Sequence, residues 1–203
     1  MAIISLPDIA FRSVRYRLQA PAQINRSVWT GARQVMGLPG PTRLSLSAEH
    51  VPIRGEERML AWRAFFARLS GPVNTFRMPV TERPQVDAEI TAVVAAVPSA
   101  SSITITVGPA DFRTTNRRLL KAGQIITVAD QPLILAADLM TGGAGGVTAT
   151  ADFRPLLRRS PAIGAPVVLD RPTALVALDT DVSEWGVDPG QLYSFSIEAS
   201  EAF

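Results

Sequence analysis

The sequence predicts a mainly β chain in two domains, and three patterns carry that expectation. Runs near both ends alternate apolar and polar residues with a period of two, as half-buried strands do. Only one stretch, beginning at Glu56 and Glu57, repeats apolar residues at helical spacing. From Thr81 onward, short β-prone runs follow at close spacing, punctuated by Gly and Pro, which is the texture of a small barrel or sandwich.

In "RSVRYRL", Val14, Tyr16 and Leu18 fall on one face of a half-buried strand, with Ser13, Arg15 and Arg17 on the other. "QINRSVWTGARQVMG" reads as a second extended stretch ending at Gly37. "GLPGPTRLSLSA" reads as a turn and then a strand with Leu44 and Leu46 inward. Glu56 and Glu57 suit the positive end of a helix dipole. Met59, Trp62, Phe66 and Leu69 then follow 3–4–3 spacing as the core stripe of the helix. Leu60 and Phe65 are expected to widen that stripe, with Arg58, Arg63 and Arg68 on a solvated face. Gly71 and Pro72 stop the helix, and "VNTFRMP" adds a strand that Pro79 limits, because proline cannot donate to a ladder. "TERPQVDAE" is a polar linker. The runs "EITAVVAAV", "SITITV", "QIITV", "PLILA", "VTATADF", "APVVL" and "TALVAL" follow. "QLYSFSIEAS" is a final strand with Tyr193, Phe195, Ile197 and Ala199 on one face and Leu192, Ser194, Ser196 and Glu198 on the other.

The 203 residues are 47% apolar and 19% charged, ample for a core and too apolar for a disordered chain. No apolar run reaches the roughly 18 residues of a membrane span. "MAIISLPDIAFRSVRYR" lacks a basic segment followed by a long apolar one, so no secretion signal is expected. Cysteine is absent and histidine occurs once, as His50. No disulfide framework, thiolate site or two-histidine zinc site can form. The formal charge is +2, with Lys121 the sole lysine, a weak basic excess for a nucleic-acid partner.

No stretch completes a catalytic pattern. His50, in "SAEHVPIRG", has no partner suited to general acid–base work and reads as a surface or turn histidine. "TGGAGGVT" carries Thr148 where a dinucleotide fingerprint needs its third glycine, and reads as a hairpin loop. Asp179, Asp181 and Glu184 lack EF-hand spacing and read as a solvated loop. The basic groups Arg117-Arg118-Lys121 and Arg154-Arg158-Arg159 have only Phe112 and Phe153 near them, thin support for base stacking. No catalytic, cofactor-binding or metal-binding residue is therefore expected, and no cofactor.

The order of these signals resembles a known family. Strands lead to "EERMLAWRAFFARLSGPVNTFRMP". A β module follows with "LLKAGQIITVADQPLIL" and "ADFRPLLRRSPAIGAPV". The chain closes with "PTALVALDTDVSEWGVDPGQLYSFSIEASEAF". Over nearly its whole length this is similar to the distal tail proteins, minor tail proteins at the tail tip of long-tailed, siphovirus-type bacteriophages. The family's turn often reads Ala-Gly-Asp, where this chain has Gln124. The resemblance implies a tail-tube-like β-sandwich with one flanking α-helix, residues 1–82 and 177–203. It also implies an inserted small β-barrel of OB-like type, residues 83–176. The implied protein is a structural, non-enzymatic virion component, made in the bacterial host cytoplasm and located at the tail tip. Six copies would form a ring joining the tail tube protein to the baseplate hub protein and the receptor-binding parts. The tape measure protein would be a further partner, with DNA only passing through the lumen and no membrane contact. The strand faces bearing Arg15 and Arg17, and Ser194, Ser196 and Glu198, are the candidate ring interfaces. The alternative is a glycan-binding receptor module of the tail tip. Its available platforms are Trp29, Trp62 and Trp185, since residues 83–176 hold neither Trp nor Tyr.

Overall fold

A computed structural model describes residues 1–7, 10–37, 42–87, 90–108, 117–142 and 147–202. It is mainly β, with one α-helix among the described residues. The first strands are β1 (Ile3–Ile4), β2 (Phe11–Gln19), β3 (Ala22–Arg26), β4 (Arg33–Gly37), β5 (Arg43–His50) and β6 (Ile53–Arg54). Helix α1 (Glu56–Leu69) and β7 (Thr75–Pro79) follow. The middle of the chain forms β8 (Thr91–Val94), β9 (Ser102–Gly108), β10 (Arg118–Leu120), β11 (Ile125–Val128), β12 (Gln131–Leu135), β13 (Leu139–Gly142), β14 (Thr148–Arg154) and β15 (Pro166–Val168). The last strands are β16 (Thr173–Leu178), β17 (Gly186–Asp188), β18 (Leu192–Ser194) and β19 (Ser196–Glu201).

Two compact units result: Met1–Phe76 with Val176–Phe203, and Arg77–Leu175. The chain passes out of the first unit inside β7, several residues before the expected limit at 82. Residues 77–85 are tied to the second unit instead. Arg77 reaches Asp130 at 2.8 Å, the Val80 N–H donates to Pro172 O, and the Gln85 N–H donates to Asp170 O.

In the first unit a six-stranded sheet runs β1-β7-β16-β19-β5-β2. Its buried face carries Leu44, Leu46, Ala48, Ile197 and Ala199, and α1 covers it. The helix buries Met59, Trp62, Phe65, Phe66 and Leu69. Leu60, expected in the stripe, is 51% exposed. At about 100° per residue it stands away from the other five, whose positions lie within roughly a third of the wheel. The helix ends at Ser70, whose φ of 51° is left-handed and whose N–H donates to Phe66 O. Gly71 follows with φ +66°, and a Cβ there would meet the Asp181 backbone at 3.2 Å. Both its conformation and that close approach require glycine.

Three expectations for this unit change. Residues 22–37 fold as a hairpin, β3 against β4, rather than as one extended stretch. Its turn is closed by the Ser27 N–H donating to Ala32 O and the Gly31 N–H donating to Ser27 O. The final strand is two strands: β18 pairs with β6 and β17, while β19 pairs with β16 and β5. The alternation survives the break, with Tyr193, Phe195, Ile197 and Ala199 buried. In β2, Tyr16 and Leu18 are exposed rather than half-buried, because β2 is the sheet's edge and the core ends at β5.

In the second unit, β8, β9, β14, β12, β11 and β15 close a six-stranded barrel. All six pairings are antiparallel. The closing seam sets Ile103 opposite Ala151 and Ile105 opposite Ala149, all four buried. Large against small lets side chains fill a narrow barrel. The hairpin loop expected at "TGGAGGVT" joins β13 to β14, which pair antiparallel at Thr141↔Ala149; residues 143–146 of that loop lie outside the described residues. No helix among the described residues is long and apolar enough to cross a membrane.

Candidate functional site

Trp62 sits at the centre of an aromatic cluster in the first unit. Its ring centroid lies 4.7 Å from Phe195, 4.9 Å from His50, 5.4 Å from Phe65 and 6.2 Å from Phe11. His50 is therefore a core residue, 4% exposed, and not the surface or turn histidine expected. It ends β5 on the inward side of the strand alternation and stacks on Phe195 at 4.9 Å. Its Nδ1 lies 2.6 Å from Val51 O. A proton on Nδ1 makes that bond and leaves Nε2 a buried acceptor with no partner among the described residues. Among the described residues the ring's contacts are with Phe11, Trp62 and Phe195, neighbours that suit packing.

Around this core lies a groove lined by Glu184, Trp185, Gly186, Ser194 and Ser196. Trp185 is stacked on Phe66 at 6.5 Å and remains 40% exposed. The Arg63 guanidinium carbon lies 5.7 Å from the Trp185 ring centroid and 5.5 Å from that of Tyr193. Arg63 also reaches Glu56 at 3.1 Å. It is held between aromatics, whereas helical spacing assigned it to the solvated face.

The candidate ring-interface residues fall into two groups. Arg15, Ser47 and Glu198 form one cross-strand row, and Ser13, Glu49 and Ser196 the next, on the sheet's solvent face. Ser194 belongs to the separate sheet of β17, β18 and β6. Strand β2 is an open edge, but β19 is flanked on both sides by β16 and β5, so it offers a neighbour its face and not its backbone.

The second unit's basic groups find little aromatic support among the described residues. Arg118 lies 3.5 Å from Asp138, and Phe153 is fully inside the barrel, unable to stack on a base; Phe112 lies outside the described residues. The Ala122 N–H donates to Asp138 at 2.8 Å. That bond, opposed by desolvation and aided by Arg118 and Lys121, holds the Asp138 carboxyl below its ordinary value. Gln124 does locally what an acid would do in the same turn: its Oε1 accepts the Lys121 N–H at 2.7 Å. Asp179, Asp181 and Glu184 are exposed, and no three His, Asp or Glu among the described residues converge as a metal site would need.

The hairpin is the part of the first unit that sequence reasoning missed. Among the described residues its strands pair only with each other, and every residue from Ala22 to Met36 is exposed. Trp29 and Val28 at its tip are each 95% exposed. The single Gly31 and the Ser27 hydroxyl, which accepts the Thr30 N–H at 3.2 Å, were the available turn signals. No family model and no curated protein matches this sequence.

Proposed function

We propose that the chain is a structural protein of a bacteriophage tail tip, of the distal tail type, acting as a homohexameric ring between tail tube and baseplate hub. The supporting observation is architectural: a discontinuous sheet unit with one flanking helix carries a closed barrel inserted between two of its strands, β7 and β16. In this reading the sheet unit is the tail-tube-like wall element, and the barrel is a second domain carried by the same chain. The barrel has six strands, one more than the five of an OB barrel, so the OB likeness rests on size and closure rather than strand plan. The long open edge of β2 and the uncovered hairpin are surfaces that a subunit completes on assembly. Mass photometry over a concentration series, with symmetry analysis of intact particles, tests the reading. Six copies per particle around a channel are expected, and one or three copies, or none in the tube wall, would remove it.

A second reading, a glycan-binding module of the tail tip, has Trp185 in its favour. The ring is exposed beside Glu184, Ser194 and Ser196, which is an aromatic platform with polar neighbours. Binding of cell-wall glycan that is lost on Trp185→Ala, in a chain that never assembles, would put this reading first.

A further inference from the structure

Charge in the first unit is segregated along the chain. Residues 10–48 contain six arginines, Arg12, Arg15, Arg17, Arg26, Arg33 and Arg43, and no acidic residue. Residues 176–203 contain six acidic residues and no Lys or Arg. Five of those acids, Asp179, Asp181, Glu184, Asp188 and Glu198, are exposed.

The hairpin concentrates the basic half of this asymmetry. Arg26 and Arg33 stand directly opposite each other in its register, with Ile24 opposite Val35 on the same face. Like charges directly opposite oppose strand pairing, and a two-stranded hairpin alone is marginal in water. No ion pair among the described residues engages Arg26 or Arg33. Among the described residues the hairpin thus lacks two things: an ion pair for its facing arginines and an apolar surface for Ile24, Val35, Val28 and Trp29.

One surface of the same unit supplies both. Asp181, Glu184 and Asp188 flank Trp185, Val182 and Val187, all exposed. Strand β17, which ends at Asp188, is an edge of its sheet, so its backbone is open on one side. We infer that the hairpin tip of one copy docks on the Asp181–Asp188 surface of a second copy, with Trp29 in the groove beside Trp185 and Arg26 and Arg33 against the carboxylates. The contact joins two different surfaces, so it is heterologous and propagates from copy to copy into a ring or filament. The inference rests on the ring reading above and names the surfaces that close it.

The absence of cysteine makes the test clean. The double variant Thr30→Cys/Ser194→Cys, which leaves Trp29 and the carboxylates in place, is oxidised over a concentration series and run without reductant. All the changed side chains are exposed, so folding is not at stake. A ladder of covalent multimers is expected. Adding Arg26→Glu and Arg33→Glu should weaken it about tenfold or more, as loss of close interfacial charge pairs does. Adding Asp181→Arg and Asp188→Arg to that charge-reversed chain should restore it. Monomers with an internal disulfide, dimers alone, or a ladder indifferent to charge reversal would overturn the inference. So would binding of an oligonucleotide that needs Arg26 and Arg33 while no crosslink forms, which would assign the arginines to nucleic acid. A ladder closing at a number other than six keeps the contact and removes the hexamer. A six-fold ring in particles without crosslinks removes the contact and keeps the ring.

Discussion

Arg63 shows how much a single side chain's role depends on distant sequence. Its ion pair with Glu56 is partly exposed and is worth little by itself. Its place against Trp185 and Tyr193 adds a cation–π contribution of about 0.5–2 kcal/mol. Arg63→Ala is therefore expected to cost about 1–2 kcal/mol, and Trp62→Ala about 3–5 kcal/mol for a buried aromatic. Urea melts check both, and an Arg63→Ala variant that matches the wild type would mean the two rings do not hold the guanidinium. Helical spacing could place Met59, Trp62, Phe66 and Leu69 inward, because that rule is local. It could not reveal that aromatics some 120–130 residues later would close over Arg63, or that Phe195 would stack on His50 and bury it.

Among the elements, the legible ones had a long enough pattern of their own. Each of the seven β-prone runs after Thr81 contains a strand, and α1 begins and ends where the acidic pair and the Gly-Pro stop indicated. Strands β10 and β13, three and four residues long, are too short to show a period, and exist because they pair with each other and β13 also pairs with β14. The turn between them and their neighbours carries a testable charge. Asp138 accepts the Ala122 N–H and lies near Arg118, and its carboxyl is held below the ordinary value. A folded-state pKa below the unfolded one stabilises the fold above the unfolded pKa, and that stabilisation fades as pH falls through the folded pKa. Thermal melts of wild type and Asp138→Asn should therefore differ near neutral pH and converge in acid. A gap that persists unchanged at low pH would show that the carboxylate charge is not what holds the turn.

For the molecule as a whole, the second unit has everything a free-standing domain requires. Its buried cluster, including Ile103, Ile126, Leu133, Leu135 and Phe153, lies wholly within it, and the β9–β14 pairing closes the barrel. Residues 77–175 expressed alone should fold, with dispersed amide resonances. A collapsed spectrum would mean that the barrel needs the first unit to form.

The first unit has no such independence in time. Its strand β19 lies between β5 and β16, and Phe195, which touches Trp62, Phe66 and His50, immediately precedes that strand. The ribosome makes β5 and α1 first, then the 99 residues of the second unit, and only afterwards Phe195 and β19. At roughly 5–20 residues per second, the helix and the half-built sheet wait about 5–20 s with an apolar face uncovered and a central strand slot vacant. A nascent chain in that state is a natural client for a chaperone that holds apolar surface, and slowing translation within the barrel's codons should lower the yield of soluble protein more than slowing it before residue 43, when neither β5 nor α1 has been made.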